Sequence, residues 1–229
     1  MQYLCVLIRR TFNLIEMQKL YHYTSSKRFD SIISSNVMLY SNTNNSNDNM
    51  ERYATISNYI DINNEKYICL SKDYKNSPLW YFYANRFNGV CIELDFNYER
   101  FTLVDIEYIN PEDGISARRR LNSFELSPRD YLSRKVWYWR YEDEVRLFDN
   151  QIEDPNGIVN IHNYINNVYI GGAFDYNVIS DNTALFLYQK FKLNQLKGIS
   201  SPNGYIESSL DYKSPKLFEL FIKRGLLGT

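Results

Sequence analysis

Residues 20–36, LYHYTSSKRFDSIISSN, carry two hydrophobic periods in succession. Leu20, His22 and Thr24 alternate with Tyr21 and Tyr23, the period of a strand, which puts His22 and Thr24 on one face. From Ser25 onward Phe29, Ile32 and Ile33 recur at helical spacing, with Ser25 or Ser26 as the N-cap and Asn36 as the stop. A polar, ring-bearing side chain is thereby held beside a helix N-terminus, where an anionic group such as a pyrophosphate is favoured.

Further strand patterns fall at Tyr67–Ser71, Val90–Phe96, Phe101–Tyr108, Val136–Tyr138, Glu144–Phe148, Val168–Ile170 and Gly204–Ser208. The clearest helix is NSPLWYFYANRFNG, capped by Ser77, with Pro78 in its first turn and Gly89 at its end. Trp80, Tyr83, Ala84 and Phe87 form one stripe along it. Thr183–Leu193 reads as a second helix and Arg129–Arg134 as a short one. Helices inserted between strands without steady βαβ alternation predict an α+β fold around a mixed or antiparallel sheet.

A chain of 229 residues suits one domain, expected here over residues 19–229. Residues 1–18 read as an appendage or a misassigned start, with Met17 as an alternative first residue. The apolar run Tyr3–Ile8 is too short to cross a bilayer. Arg9-Arg10 lacks the apolar segment of a twin-arginine signal. SNTNNSNDN, residues 41–49, is the one low-complexity segment and reads as a loop.

Composition narrows the chemistry. Net charge is −1, so no global basic field points to nucleic acid. Residues 111–140 are the exception: seven Lys/Arg stand against four acids, a local balance of +3. Within them Arg118, Arg119 and Arg120 read either as a solvated face or as a loop that meets phosphates. Cys5, Cys69 and Cys91 are too widely spaced for a disulfide framework or a Cys-x-x-Cys metal site, and a reduced cytoplasm is expected. Aromatics reach 16%, with 21 Tyr. Such an excess suits half-buried positions or a lined cleft.

Three constellations can carry chemistry, and each has a structural alternative. His22 with Thr24 is either a hydrogen-bonded structural pair or one wall of a ligand site. No metal is expected, because His162 is the only other histidine and no HExxH set exists. Trp80, Tyr83 and Phe87 are core packing or, at Tyr83, a ring offered to a ligand. In WRYEDEVRLF (139–148), Glu142, Glu144 and Arg146 would share a strand face. They read as exposed charges paired across strands, or as a carboxylate fixed to hold a ribose hydroxyl and stabilise a developing cation. Nucleotide-binding glycine fingerprints, P-loops and GxSxG elbows are missing.

LYHYT (20–24), SNDNME (46–51), CLS (69–71), WYFYANRFNGVCIEL (80–94), YEDEVRL (141–147) and NNVYIGGAF (166–174) occur in the order of a family that this chain resembles. It is the bacterial and phage domain-of-unknown-function family 2971, a relative of ADP-ribosyltransferases. The resemblance spans roughly residues 19–212. Ser46, Asn49 and Val145 replace the family's Phe, Pro and Trp. The first and last motifs are also similar, more distantly, to DarT-type DNA ADP-ribosyltransferase toxins.

The resemblance implies a split, bent mixed sheet with flanking helices around a central cleft that grips NAD as substrate. It implies His22 and Glu144 as catalytic residues, with Glu144 on the nicotinamide ribose. His22, Thr24, Ser71, Trp80 and Tyr83 would line the NAD site. Arg118–Arg120 would meet a macromolecular acceptor, nucleic acid or protein, in phage–host conflict or as a toxin's target. The alternative is a catalytically inactive nucleotide- or protein-binding module of the same fold.

Overall fold

The computed structural model describes residues 19–41, 48, 62, 65–96, 100–121, 126–150, 156–200, 206–209 and 214–227, with backbone alone at 118 and 119. The N-terminal segment, most of the Asn-rich loop and most of the SNDNME motif therefore lie outside the described residues.

The chain runs β1 (Leu20–Ser25), α1 (Ser26–Ser35), β2 (Val37–Leu39), β3 (Tyr67–Ser71), α2 (Ser77–Phe82) and β4 (Gly89–Leu94). Next come β5 (Phe101–Asp105), β6 (Glu107–Ile109), α3 (Ile115–Leu121), α4 (Pro128–Leu132) and β7 (Arg134–Val136). A 3₁₀ turn, Trp137–Glu142, leads into β8 (Glu144–Asp149), followed by β9 (Gly157–Val159) and β10 (Ile165–Gly171). The last elements are α5 (Asp181–Lys192), β11 (Leu196–Ser200), β12 (Glu207–Ser209) and α6 (Pro215–Lys223). The fold is α+β.

Eight strands form one mixed sheet in the order β12-β11-β10-β4-β1-β3-β8-β5, with β10 and β11 parallel. Its faces follow from the alternation of the strands. One face carries Leu20, Ile68, Leu70, Ile92, Val145 and Leu147 and is covered by Phe29 and Ile33 of α1 and by α5 and α6. Burying each of those two α1 side chains contributes about 1.5–3 kcal/mol. The opposite face carries Tyr21, Tyr23, Cys91 and Tyr169 and packs on Leu79 and Trp80 of α2.

The joint between β1 and β3 is narrow. β1 shares six residue pairs with β4 and β3 shares five with β8, but β1 and β3 share one, Tyr21↔Ser71. Beyond it the strands part. The Tyr67 carbonyl takes the Ser41 N–H at 2.8 Å, and the Cys69 carbonyl faces the His22 ring.

The pattern over residues 20–36 predicts β1 and α1 correctly, with Ser25 as the cap and Asn36 in the left-handed conformation (φ 55). Other boundaries differ. α2 is capped by Asn76, not Ser77, and ends at Phe82 rather than running to Gly89. Asn85, Arg86 and Phe87 all have positive φ (48, 57 and 65), so the chain reverses there. Phe87 still stacks on Trp80, with centroids 5.4 Å apart, but from outside the helix. Two contacts fix this reversal: the Phe87 carbonyl accepts the Ala173 N–H at 3.1 Å, and Gly171 lies against the same carbonyl. The strand pattern over 101–108 breaks at Ile106, whose N–H turns to the Glu144 carbonyl. Val136–Tyr138 is the end of β7 followed by the 3₁₀ turn.

Among the described residues no helix is long and apolar enough to cross a membrane. Among the same residues no group of three or more His, Cys, Asp or Glu is placed to hold a metal ion.

Candidate active site

The sheet's α2 face carries Ser71 and Glu144 as cross-strand partners, with Arg146 two residues along β8. Between β5 and β8 the chain leaves the sheet and forms a second, two-stranded parallel sheet from β6 and β7. Tyr108 and Lys135 are register partners there, as are Glu107 and Arg134. The alternation sends Glu107 and Arg134 outward, where they form an ion pair at 3.3 Å. It sends Tyr108 and Lys135 inward onto the acids.

Glu142 and Glu144 converge because Asp143 between them is left-handed (φ 43), which closes the 3₁₀ turn and starts β8. The expectation that both acids share an exposed strand face is corrected: Glu142 sits on the turn, and both carboxylates are buried. Lys135 Nζ donates to Glu142 Oε2 at 2.8 Å and forms an ion pair with Glu144 Oε2 at 2.5 Å. Arg146, wholly buried, donates from Nε to Glu144 Oε1 at 2.8 Å and from Nη1 to the Leu132 carbonyl. The Tyr108 hydroxyl accepts the Glu144 N–H at 2.8 Å.

The two acids differ in proton affinity. Burial raises that of Glu144, but Arg146 and Lys135 outweigh it and hold the carboxyl down at about 2. For Glu142 burial wins: with Glu144 beside it, the group is raised above the ordinary carboxylate range despite Lys135 and the Tyr83 hydroxyl. Environments that push two neighbouring acids apart divide the labour, one a permanent anion and the other able to carry a proton.

α2 supplies the wall beside them. Tyr83, half-buried at its C-terminal end, donates its hydroxyl to Glu142 Oε1 at 2.5 Å. Trp80 supports that wall from behind: it is wholly buried, its N–H donates to the Tyr74 carbonyl at 2.7 Å, and its ring meets the edge of Tyr23. Ser71 is buried and its hydroxyl turns to the backbone of Asp73, accepting that N–H at 3.3 Å.

His22 and Thr24 stand apart from the acids. Tyr21, Ser71 and Glu144 share a face through their pairings, so His22 and Thr24 belong to the other one, opposite Ile92 and Val90. The half-buried His22 ring reaches across the parting of β1 and β3, with Nδ1 3.4 Å from the Cys69 carbonyl. Burial lowers its proton affinity to about 4, so it is neutral at pH 7. With Nδ1 protonated toward Cys69, Nε2 is the acceptor.

Arg118–Arg120 lie on α3, away from the central sheet; Arg120 is exposed and paired with Glu107. His162 is structural, its Nε2 3.0 Å from the Ile33 carbonyl. Lys135, Arg146 and Tyr108 were missed as site residues. Arg146 had a signal, its i,i+2 relation to Glu144, whereas Lys135 and Tyr108 enter only through the β6–β7 excursion. No family model matches the chain, and no curated protein matches it.

Proposed function

We propose that this protein is an ADP-ribosyltransferase-like enzyme that takes NAD as substrate and transfers ADP-ribose to a macromolecule, nucleic acid or protein. The observation that carries the reading is the buried Glu142–Glu144 pair, one acid fixed as an anion and the other raised, beside a sheet that nearly parts at the His22 ring. A dinucleotide is long enough to contact both sides of such a seam, and the single residue pair joining β1 to β3 supports a split-sheet reading.

In this reading the bond from the ribose carbon to nicotinamide breaks, and nicotinamide leaves with the electron pair. The ribose gains cationic character, and a fixed anion such as Glu144 stabilises it. A nucleophilic atom of the acceptor then bonds to the same carbon, and its proton passes to Glu142. Tyr83 offers the ring beside the leaving group. His22, at the seam, holds a ribose hydroxyl through its neutral imidazole.

A second reading has its own observation. Glu144 is 5% exposed and flanked by two cations, so a ribose hydroxyl reaches it only if Lys135 yields. A non-catalytic nucleotide- or protein-binding module would need no such movement. Nicotinamide release from NAD separates the two, measured for wild type, Glu144→Gln and Glu142→Gln with total cell nucleic acid or protein added. Release lost in Glu144→Gln supports the enzyme. No release from folded wild-type protein, with saturable NAD binding, supports the module.

A further inference from the structure

We propose that Lys135 is the positioning residue of the acid pair, one ammonium that gathers Glu142 and Glu144 to a single point and balances their charge. Its importance for catalysis rests on the reading above; its effect on the two acids does not. The geometry is specific. Lys135 Nζ lies 2.8 Å from Glu142 Oε2 and 2.5 Å from Glu144 Oε2, on a side chain that is itself 7% exposed. Arg146 serves Glu144, and Lys135 is the cation that faces both acids.

Several elements packed around the pair contribute groups that face it. α2 brings the Tyr83 hydroxyl and β6 the Tyr108 hydroxyl; the 3₁₀ turn brings Tyr141 and the Trp139 ring, 5.8 Å from Lys135 Nζ; β8 brings Arg146. Among the described residues the charged members are Glu142, Glu144, Lys135 and Arg146. Without Lys135 two buried carboxylates would face one guanidinium, and one of them would have to take up a proton. The excursion of β6, α3, α4 and β7 places this lysine against Glu144 of the central sheet and against Glu142 on the turn that leads into it.

The test is read on ligand-free protein by following the carboxyl carbons of ¹³C-labelled glutamate through a pH titration. The variants are Lys135→Met, Lys135→Arg and the charge-balanced double variant Lys135→Met/Glu142→Gln. In wild type Glu144 stays ionised in acid and Glu142 titrates above the ordinary range. Lys135→Met should move Glu144 up by about one pH unit or more, and Lys135→Arg should restore most of that shift. The double variant should return Glu144 toward its wild-type titration. An unmoved Glu144 in Lys135→Met overturns the proposal.

If Lys135→Met does not fold, recovery of folded protein in the double variant supports the pairing, and failure of both overturns it. Where nicotinamide release is measurable, the acid limb of its pH profile should move with Lys135→Met and return with Lys135→Arg. Absence of NAD chemistry would leave the titration result standing, so the two failures are distinguishable.

Discussion

The Tyr83 hydroxyl donates to Glu142 Oε1 at 2.5 Å, which ties the end of α2 to the residue at the entrance of β8. The bond joins elements about sixty positions apart in the chain, and it favours the ionised form of an acid that burial otherwise pushes toward protonation. Tyr83→Phe keeps the ring and removes the donor. It should raise the proton affinity of Glu142 further and lower stability by about 1.5–3 kcal/mol, the range for a hydrogen bond to a charged group. Urea denaturation at pH 7 with the carboxyl titration checks both; unchanged values would mean that the contact contributes nothing.

Arg146 is a second case in which one group holds several. It is wholly buried, bonded to Glu144 and to the Leu132 carbonyl, and its guanidinium carbon lies 4.8 Å from the centre of the Tyr67 ring. Arg146→Met preserves length but leaves Glu144 with Lys135 alone. Breaking one side of a buried ion pair costs about 3–5 kcal/mol. The loss should be smaller in Arg146→Met/Glu144→Gln, where the uncompensated carboxylate is also gone. Equal losses in the single and double variants would remove the pairing as the cause.

What was legible in the sequence was whatever local periodicity decides. β1 and α1 follow from Tyr21 alternating with His22 and from Phe29 with Ile33, and Ser25 and Asn36 mark the helix ends by their own chemistry. The end of α2 was not legible, because the left-handed run Asn85–Phe87 is tied down by contacts of the Phe87 backbone with Gly171 and Ala173. The acids were legible as a pair and their burial was not: two charges in a strand pattern look solvent-facing until Lys135 and Arg146 cover them. His22 was placed on its strand correctly, but its separation from Glu144 depends on the register Tyr21↔Ser71, which no single segment encodes.

Gly171 tests the reversal after α2. A Cβ built there would come within 2.2 Å of the Phe87 carbonyl oxygen, and that neighbour is backbone bonded to Ala173. Gly171→Ala should therefore destabilise by about 3 kcal/mol, the upper part of the usual overpacking range. Gly114→Ala has open space around its Cβ but starts from φ 105, so its cost is backbone strain alone. Paired thermal melts should show Gly171→Ala as the larger loss; the reverse order would place the strain elsewhere.

The last prediction concerns pH. His22 falls from its ordinary value of 6.5 to about 4 in the fold, chiefly because burial disfavours the imidazolium. The unfolded chain therefore binds this proton more readily than the folded one. Its contribution to stability is complete above about pH 6.5 and is lost progressively as pH falls toward 4, by at most about 3 kcal/mol and less to the extent that water screens the half-buried ring. Glu142 works in the opposite sense: its raised affinity favours the fold at low pH, and that contribution fades as pH rises above the ordinary carboxylate range. His22→Asn keeps a side-chain donor for the Cys69 carbonyl and removes the titration. Between pH 7 and pH 4 the urea midpoint of wild type should fall further than that of His22→Asn, with Glu142 common to both. Parallel falls would show that the ring at the seam is no colder to protons in the fold than in the open chain.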